Sequence, residues 1–158
     1  MTIQIVFFAS VAFGLVAWSV LAASSLWPWL RAKSRTDALR PLLILHSFRF
    51  VGLSFLVPGV VASDLPQAFA RDAAYGDLLT AVLALLALAT LRSGVGTLIA
   101  WAFSLCGIVD LVNAFYQARA GGLVPSQLGA AYYIPTLVVP MLFVTHALVL
   151  RLLTRSER

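Results

Sequence analysis

The chain has 158 residues, of which 61% are hydrophobic and 11% charged, against about 45–50% and about 25% in soluble domains. A soluble globular domain and a disordered chain are excluded on that balance, and the single cysteine, Cys106, excludes a disulfide scaffold. About 20 apolar residues per span leave room for five spans, and in such a chain the net charge of +5 reports orientation before it reports any polyanionic partner.

In chain order, the first apolar segment is read as Ile3–Leu26. Its stretch Ile5–Ala23 ends in small residues as a signal peptide does, but no positive charge precedes it, and Arg31, Lys33 and Arg35 follow it. That is the reverse of the signal-peptide charge order, so the segment is expected to be retained as a span. Trp27-Pro28-Trp29 reads as a break with interfacial tryptophans. The second segment, Pro41–Ala62, contains Pro58, which frees the carbonyl of Ser54 and predicts a kink. Ser63-Asp64-Leu65-Pro66 then has the form of a helix start. Leu65, Ala68 and Phe69 share one face at i, i+3 and i+4, which predicts a short helix lying on the outer surface.

The third segment, Asp77–Leu91, is the shortest and is built mainly of Leu and Ala, both strong helix formers. Gly94 and Gly96 separate it from the fourth, Thr97–Gln117. Gly121-Gly122 and Pro125 lead to the fifth, Ala131–Leu153, where Pro140 frees the carbonyl of Thr136 and predicts a second kink. Continuous apolar runs exclude a β-barrel, and no stretch remains for a soluble domain. The fold class is therefore all-α: a polytopic integral membrane protein, a five-transmembrane-helix bundle forming one domain over residues 1–158.

Charge placement predicts the topology. Arg31, Lys33, Arg35, Arg40, Arg92, Arg151, Arg155 and Arg158 fall on one side. Arg71 and Arg119 fall on the other, with Asp64, Asp72 and Asp77 beside the first. The positive-inside rule places the N-terminus outside and the C-terminus in the cytoplasm. Tyr132 and Tyr133 sit at the start of the fifth segment, where an aromatic belt is expected. Small residues at helical spacing, Ser10, Gly14 and Ala17 on the first segment and Thr80, Ala84 and Ala87 on the third, predict close helix contacts.

Four ionisable residues lie within the spans, where each costs at least about 2.5–3.5 kcal/mol and faces the interior with a partner. At about 1.5 Å per residue, His46 is about 9 Å from Arg40 and His146 about 8–10 Å from the same side. The two histidines therefore lie at matching depth. Arg49 follows His46 by three residues at about 13 Å, and Asp110 lies about 20 Å along the fourth segment. Cys106, Asp110, Asn113 and Gln117 form one polar stripe at i, i+4, i+7 and i+11. Arg49 is expected to pair with Asp110, since two separated charges would each be uncompensated. The histidines are expected to bond hydroxyls such as Ser47, Thr136 or Thr145.

The leading functional expectation is a small-ligand site or a proton or ion pathway formed by His46, Arg49, Asp110 and His146, with Asn113 and Gln117 lining an outer entrance. One alternative is haem b held between His46 and His146, with Arg49 on a propionate. A second is a structural or assembly subunit in which the cluster clasps the helices. A third is a membrane-embedded enzyme using histidine and aspartate as acid and base on a lipid-soluble substrate, against which HExxH, paired carboxylates and a nucleophile elbow are all absent. Two histidines fall short of the three or four ligands a metal needs. Lys33, the only lysine, lies outside the spans, which argues against a retinal Schiff base. The expected partners are the lipid bilayer, a small molecule or ion, and either a second copy of the chain or a larger membrane complex; nucleic acid is not expected. The stretches Leu45–Pro58 and Asp110–His146 resemble those of small bacterial membrane proteins. That resemblance implies a bacterial inner membrane and no particular activity.

Overall fold

Among the described residues, five helices are long and apolar enough to cross a membrane: α1 Ile3–Arg31, α2 Arg35–Leu56, α3 Gln67–Thr90, α4 Gly94–Ala120 and α5 Ile134–Leu153. They are seen in a computed structural model that describes residues 2–155. Arg158, counted above for topology, lies outside the described residues. All regular elements among the described residues are helical.

α1, α3 and α4 run longer than their apolar runs predict. A π-helical turn at Ala22–Leu26 leads into helical Trp27–Arg31. That wider turn absorbs the N–H that Pro28 lacks, so Trp27-Pro28-Trp29 continues α1 instead of breaking it. The Ser34 hydroxyl caps α2 by accepting from the Asp37 N–H at 3.2 Å. At its other end α2 stops at Leu56, so Pro58 lies beyond the helix and kinks nothing. The short surface helix expected after Pro66 is instead the first turns of α3, which begins at Gln67. Leu65 and Phe69 are buried there, whereas Ala68 is exposed. In α5, Pro140 follows a π-helical turn at Ile134–Val138. The Thr136 carbonyl that Pro140 cannot bond lies against Gly14 of α1, where a Cβ would leave no room. Ser10 and Tyr132 meet at 3.4 Å beside it, while Ala17 is exposed and takes no part in that contact.

α2, α3, α4 and α5 form a ring, each touching the next, and α1 packs on the outside against α5. Thr80, Ala84 and Ala87 are buried within the ring as expected. Two apolar clusters occupy its ends. One is built around Leu39, Leu43, Ala87, Phe103, Val149 and Leu152, the other around Phe7, Phe55, Phe69, Ala73, Leu128 and Ile134. On every ring helix a polar stretch falls between residues of the two clusters. It is His46–Arg49 on α2, Asp77–Thr80 on α3, Ser104–Asp110 on α4 and Thr145–His146 on α5. The fold is thus a sandwich with one polar layer across its middle.

Candidate functional site

The polar layer is organised by one side chain. Arg49, buried to 1% exposure, sends each of its three guanidinium nitrogens to a different helix. Nε donates to Asp77 Oδ1 on α3 at 2.7 Å, Nη2 to Asp110 Oδ2 on α4 at 2.6 Å, and Nη1 to His146 Nε2 on α5 at 3.1 Å. With its own position on α2, Arg49 connects all four helices of the ring. The planar five-donor fork suits this role, which a point-charge ammonium would fill poorly.

The Arg49 contact fixes the tautomer of His146. A guanidinium can only donate, so His146 Nε2 accepts and the ring proton sits on Nδ1, 3.2 Å from Ser104 Oγ. The Thr145 hydroxyl lies within hydrogen-bond distance of the backbone carbonyls of Met141 and Leu142. Its oxygen also lies 2.9 Å from His46 Nε2. His46 Nδ1 is buried without a partner among the described residues. Of the hydroxyls anticipated for the histidines, Thr145 is used, whereas Ser47 bonds Ile44 and Thr136 bonds Tyr132.

The local backbone explains how so large a cation enters the layer. Phe48–Leu56 is a 3₁₀-helix, far longer than the three or four residues common for that form. At three residues per turn, Arg49, Gly52 and Phe55 align on one face, and these are its buried residues. Glycines then give the charges space. A Cβ on Gly52 would overlap the Asp77 carboxylate, and one on Gly76 would overlap that of Asp110. A Cβ on Gly107 would stand 2.8 Å from Arg49 Nη1 and crowd His146 as well.

The expected Arg49–Asp110 pair is present, with His46 and His146 in the same layer. Asn113 and Gln117 are not part of it. Asn113 is half-buried, and Gln117 bonds Asp72 at 3.1 Å near the end of the bundle. Sequence reasoning missed Asp77 as a member of the layer: it was expected at the outer end of the third segment, as its first residue, and it lies about 15 Å inside α3, bonded to Arg49. Pro66 at the helix start was the available signal. With Asp77 in place the site does hold paired carboxyl groups, contrary to expectation.

The haem alternative does not fit this geometry. A bis-histidine iron sets the two ligating nitrogens about 4 Å apart across the macrocycle plane, at about 2 Å per metal–nitrogen bond. Here the His46 and His146 ring centroids are themselves 4.2 Å apart, the rings are in contact, and Phe103 packs against both. No group of three or more His, Cys, Asp or Glu residues could hold a metal ion among the described residues.

Beside the polar layer opens a cavity of about 540 Å³, within the usual range for small-molecule sites. It lies at the end of the bundle that carries the start of α1 and the α2–α3 and α4–α5 connections. Its walls include Phe7, Phe8, Phe55, Phe69 and Phe115, and Ala114 lines one side. Asp77 and Asp110 line it where it meets the polar layer, whereas Arg49 does not reach its surface. Their side chains are 10% and 14% exposed, against 0% for Arg49. A molecule in the cavity meets carboxylates, with the guanidinium behind them.

Residues 6–154 match the family described as Domain of unknown function (DUF8737), and the chain belongs to that family. No curated protein and no solved structure matches it.

Proposed function

We propose that this member of the family is a multi-pass protein of a bacterial inner membrane that binds a small, mostly apolar molecule within the bundle. In this proposal the N-terminus lies outside and the C-terminus in the cytoplasm, on the strength of the basic residues gathered at one end. The observation that carries the binding function is the cavity of about 540 Å³ with aromatic walls and a floor formed by Asp77 and Asp110. Mostly apolar linings with a few convergent polar groups are the mark of small-ligand sites. With this orientation the cavity belongs to the outer half of the bundle.

Ion or proton conduction is the weaker proposal for the same residues. Beyond His46 the ring is closed by Leu39, Leu43, Phe103, Val149 and Leu152, all at 0–1% exposure, and that layer offers a permeating charge no polar group. The clasp is supported by a separate observation, the bonding of Arg49 to three neighbouring helices. Clasp and binding site are compatible, because the clasp holds the carboxylates at the floor of the cavity.

The test uses N-phenyl-1-naphthylamine, a neutral aromatic probe, titrated into the purified protein and counted by native mass spectrometry. One saturable equivalent is expected. The Ala114→Trp variant, which fills the cavity from its wall, should lose that equivalent while keeping its helicity and monodispersity. Non-saturable uptake, or uptake unchanged in the variant, refutes the site.

A further inference from the structure

We infer that the cavity selects an organic cation: an ammonium head on an apolar or aromatic body, either a free amine or the head of an ammonium-bearing lipid. This rests on the binding function proposed above and assigns its ligand class. The first support is the formal charge count. One guanidinium, Arg49, faces two carboxyl groups, Asp77 and Asp110, so the layer is one positive charge short. An unbalanced charge away from water is costly, and a bound cation removes the imbalance.

The second support is placement. The carboxylates line the cavity and Arg49 is hidden behind them, so the field inside favours a positive group. Asp77 Oδ2 and Asp110 Oδ1 accept no hydrogen bond among the described residues and pack against Gly52 and Gly76, so what the acids offer the cavity is their charge. Arg119, a basic residue that does line the cavity, is exposed. It lies nine residues along α4 from Asp110, about 13 Å away, where water screens it. The third support is the wall. Phe7, Phe8, Phe55, Phe69 and Phe115 supply ring faces that attract a cation and cover an apolar body.

The experiment compares benzyltrimethylammonium, a permanent cation, with neopentylbenzene, its neutral isostere. Binding is measured in nanodiscs of phosphatidylglycerol, which has no ammonium group. The wild type is expected to prefer the cation by roughly tenfold or more. Asp110→Asn and Asp77→Asn should each abolish that preference, and Ala114→Trp should lose both ligands. Equal affinity for the two probes in the wild type, with both lost in Ala114→Trp, overturns the cation assignment and leaves the cavity standing. Binding of both probes that is absent, or unaltered by Ala114→Trp, overturns the cavity itself. If a carboxamide variant does not fold, the wild-type comparison with Ala114→Trp still decides the question. A second set of nanodiscs, containing phosphatidylethanolamine, separates the two sources. Weaker apparent binding of the cation there identifies the lipid head as an occupant, and unchanged binding identifies a free amine.

Discussion

Replacing Arg49 by glutamine is expected to destabilise the protein more than replacing either carboxylate it holds. In the wild type its guanidinium lies 2.7 Å from Asp77 and 2.6 Å from Asp110, with the arginine side chain fully enclosed. Arg49→Gln leaves two buried carboxyl groups beside each other without a counter-charge. Removing one member of a buried ion pair costs about 3–5 kcal/mol, and stranding two partners places this variant at the upper end. Asp110→Asn keeps the side-chain volume and leaves one guanidinium facing one carboxylate. Its loss is that of a charge-assisted hydrogen bond, about 1.5–3 kcal/mol, reduced because the Asp110 side chain is 14% exposed. The gap between the variants is therefore about 1–3 kcal/mol. Adding Asp110→Asn to Arg49→Gln should restore part of the stability by removing one stranded charge. Reversible unfolding by sodium dodecyl sulfate in mixed micelles, followed by far-ultraviolet circular dichroism at fixed pH, measures all three. The reasoning fails if Arg49→Gln is no worse than Asp110→Asn, or if the double variant shows the simple sum of both losses.

Gly107→Ala should destabilise by about 1–3 kcal/mol through overpacking, because its Cβ would stand 2.8 Å from Arg49 Nη1. Gly94→Ala, where a Cβ meets open space, should be neutral or stabilising in the same micelle assay; equal effects of the two would refute the packing account. Thr145→Val removes the hydroxyl bonded to His46 Nε2, on a ring whose Nδ1 already lacks a partner. A loss of about 1–3 kcal/mol is expected, and Thr145→Ser, which keeps the hydroxyl, should recover most of it. For topology, single cysteines are placed at Asp64 and Lys33 in a Cys106→Ser background. An impermeant maleimide should label position 64 in intact cells and position 33 only after lysis; the opposite pattern would reverse the orientation.

The number and class of the helices were legible in the sequence because they follow from local, additive properties. Each apolar run of sufficient length excludes strand and loop on its own, and the five runs correspond one to one with α1–α5. The ends were less legible. A hydropathy run stops at its first charge, so Gln67–Gly76 was separated from the helix it begins, and Asp77 was placed at the segment's outer end. Arg49, Asp110, His46 and His146 were legible as costly residues needing partners, which is a statement about single side chains. Which partners they take was not, because that depends on the rotation of one helix against another. At about 100° per residue an α-helix would turn Phe55 about 120° away from Arg49. The 3₁₀ run aligns them and aims Arg49 between α3, α4 and α5. Gly52, Gly76 and Gly107 carry no signal in a hydropathy pattern, yet each holds open the space of a charged or histidine side chain from another helix. Composition alone determined that this chain forms apolar helices with a few costly charges among them. Only the packing of those helices decided that one cation would hold two carboxylates at the floor of a cavity, because charge balance is a property of neighbours in space.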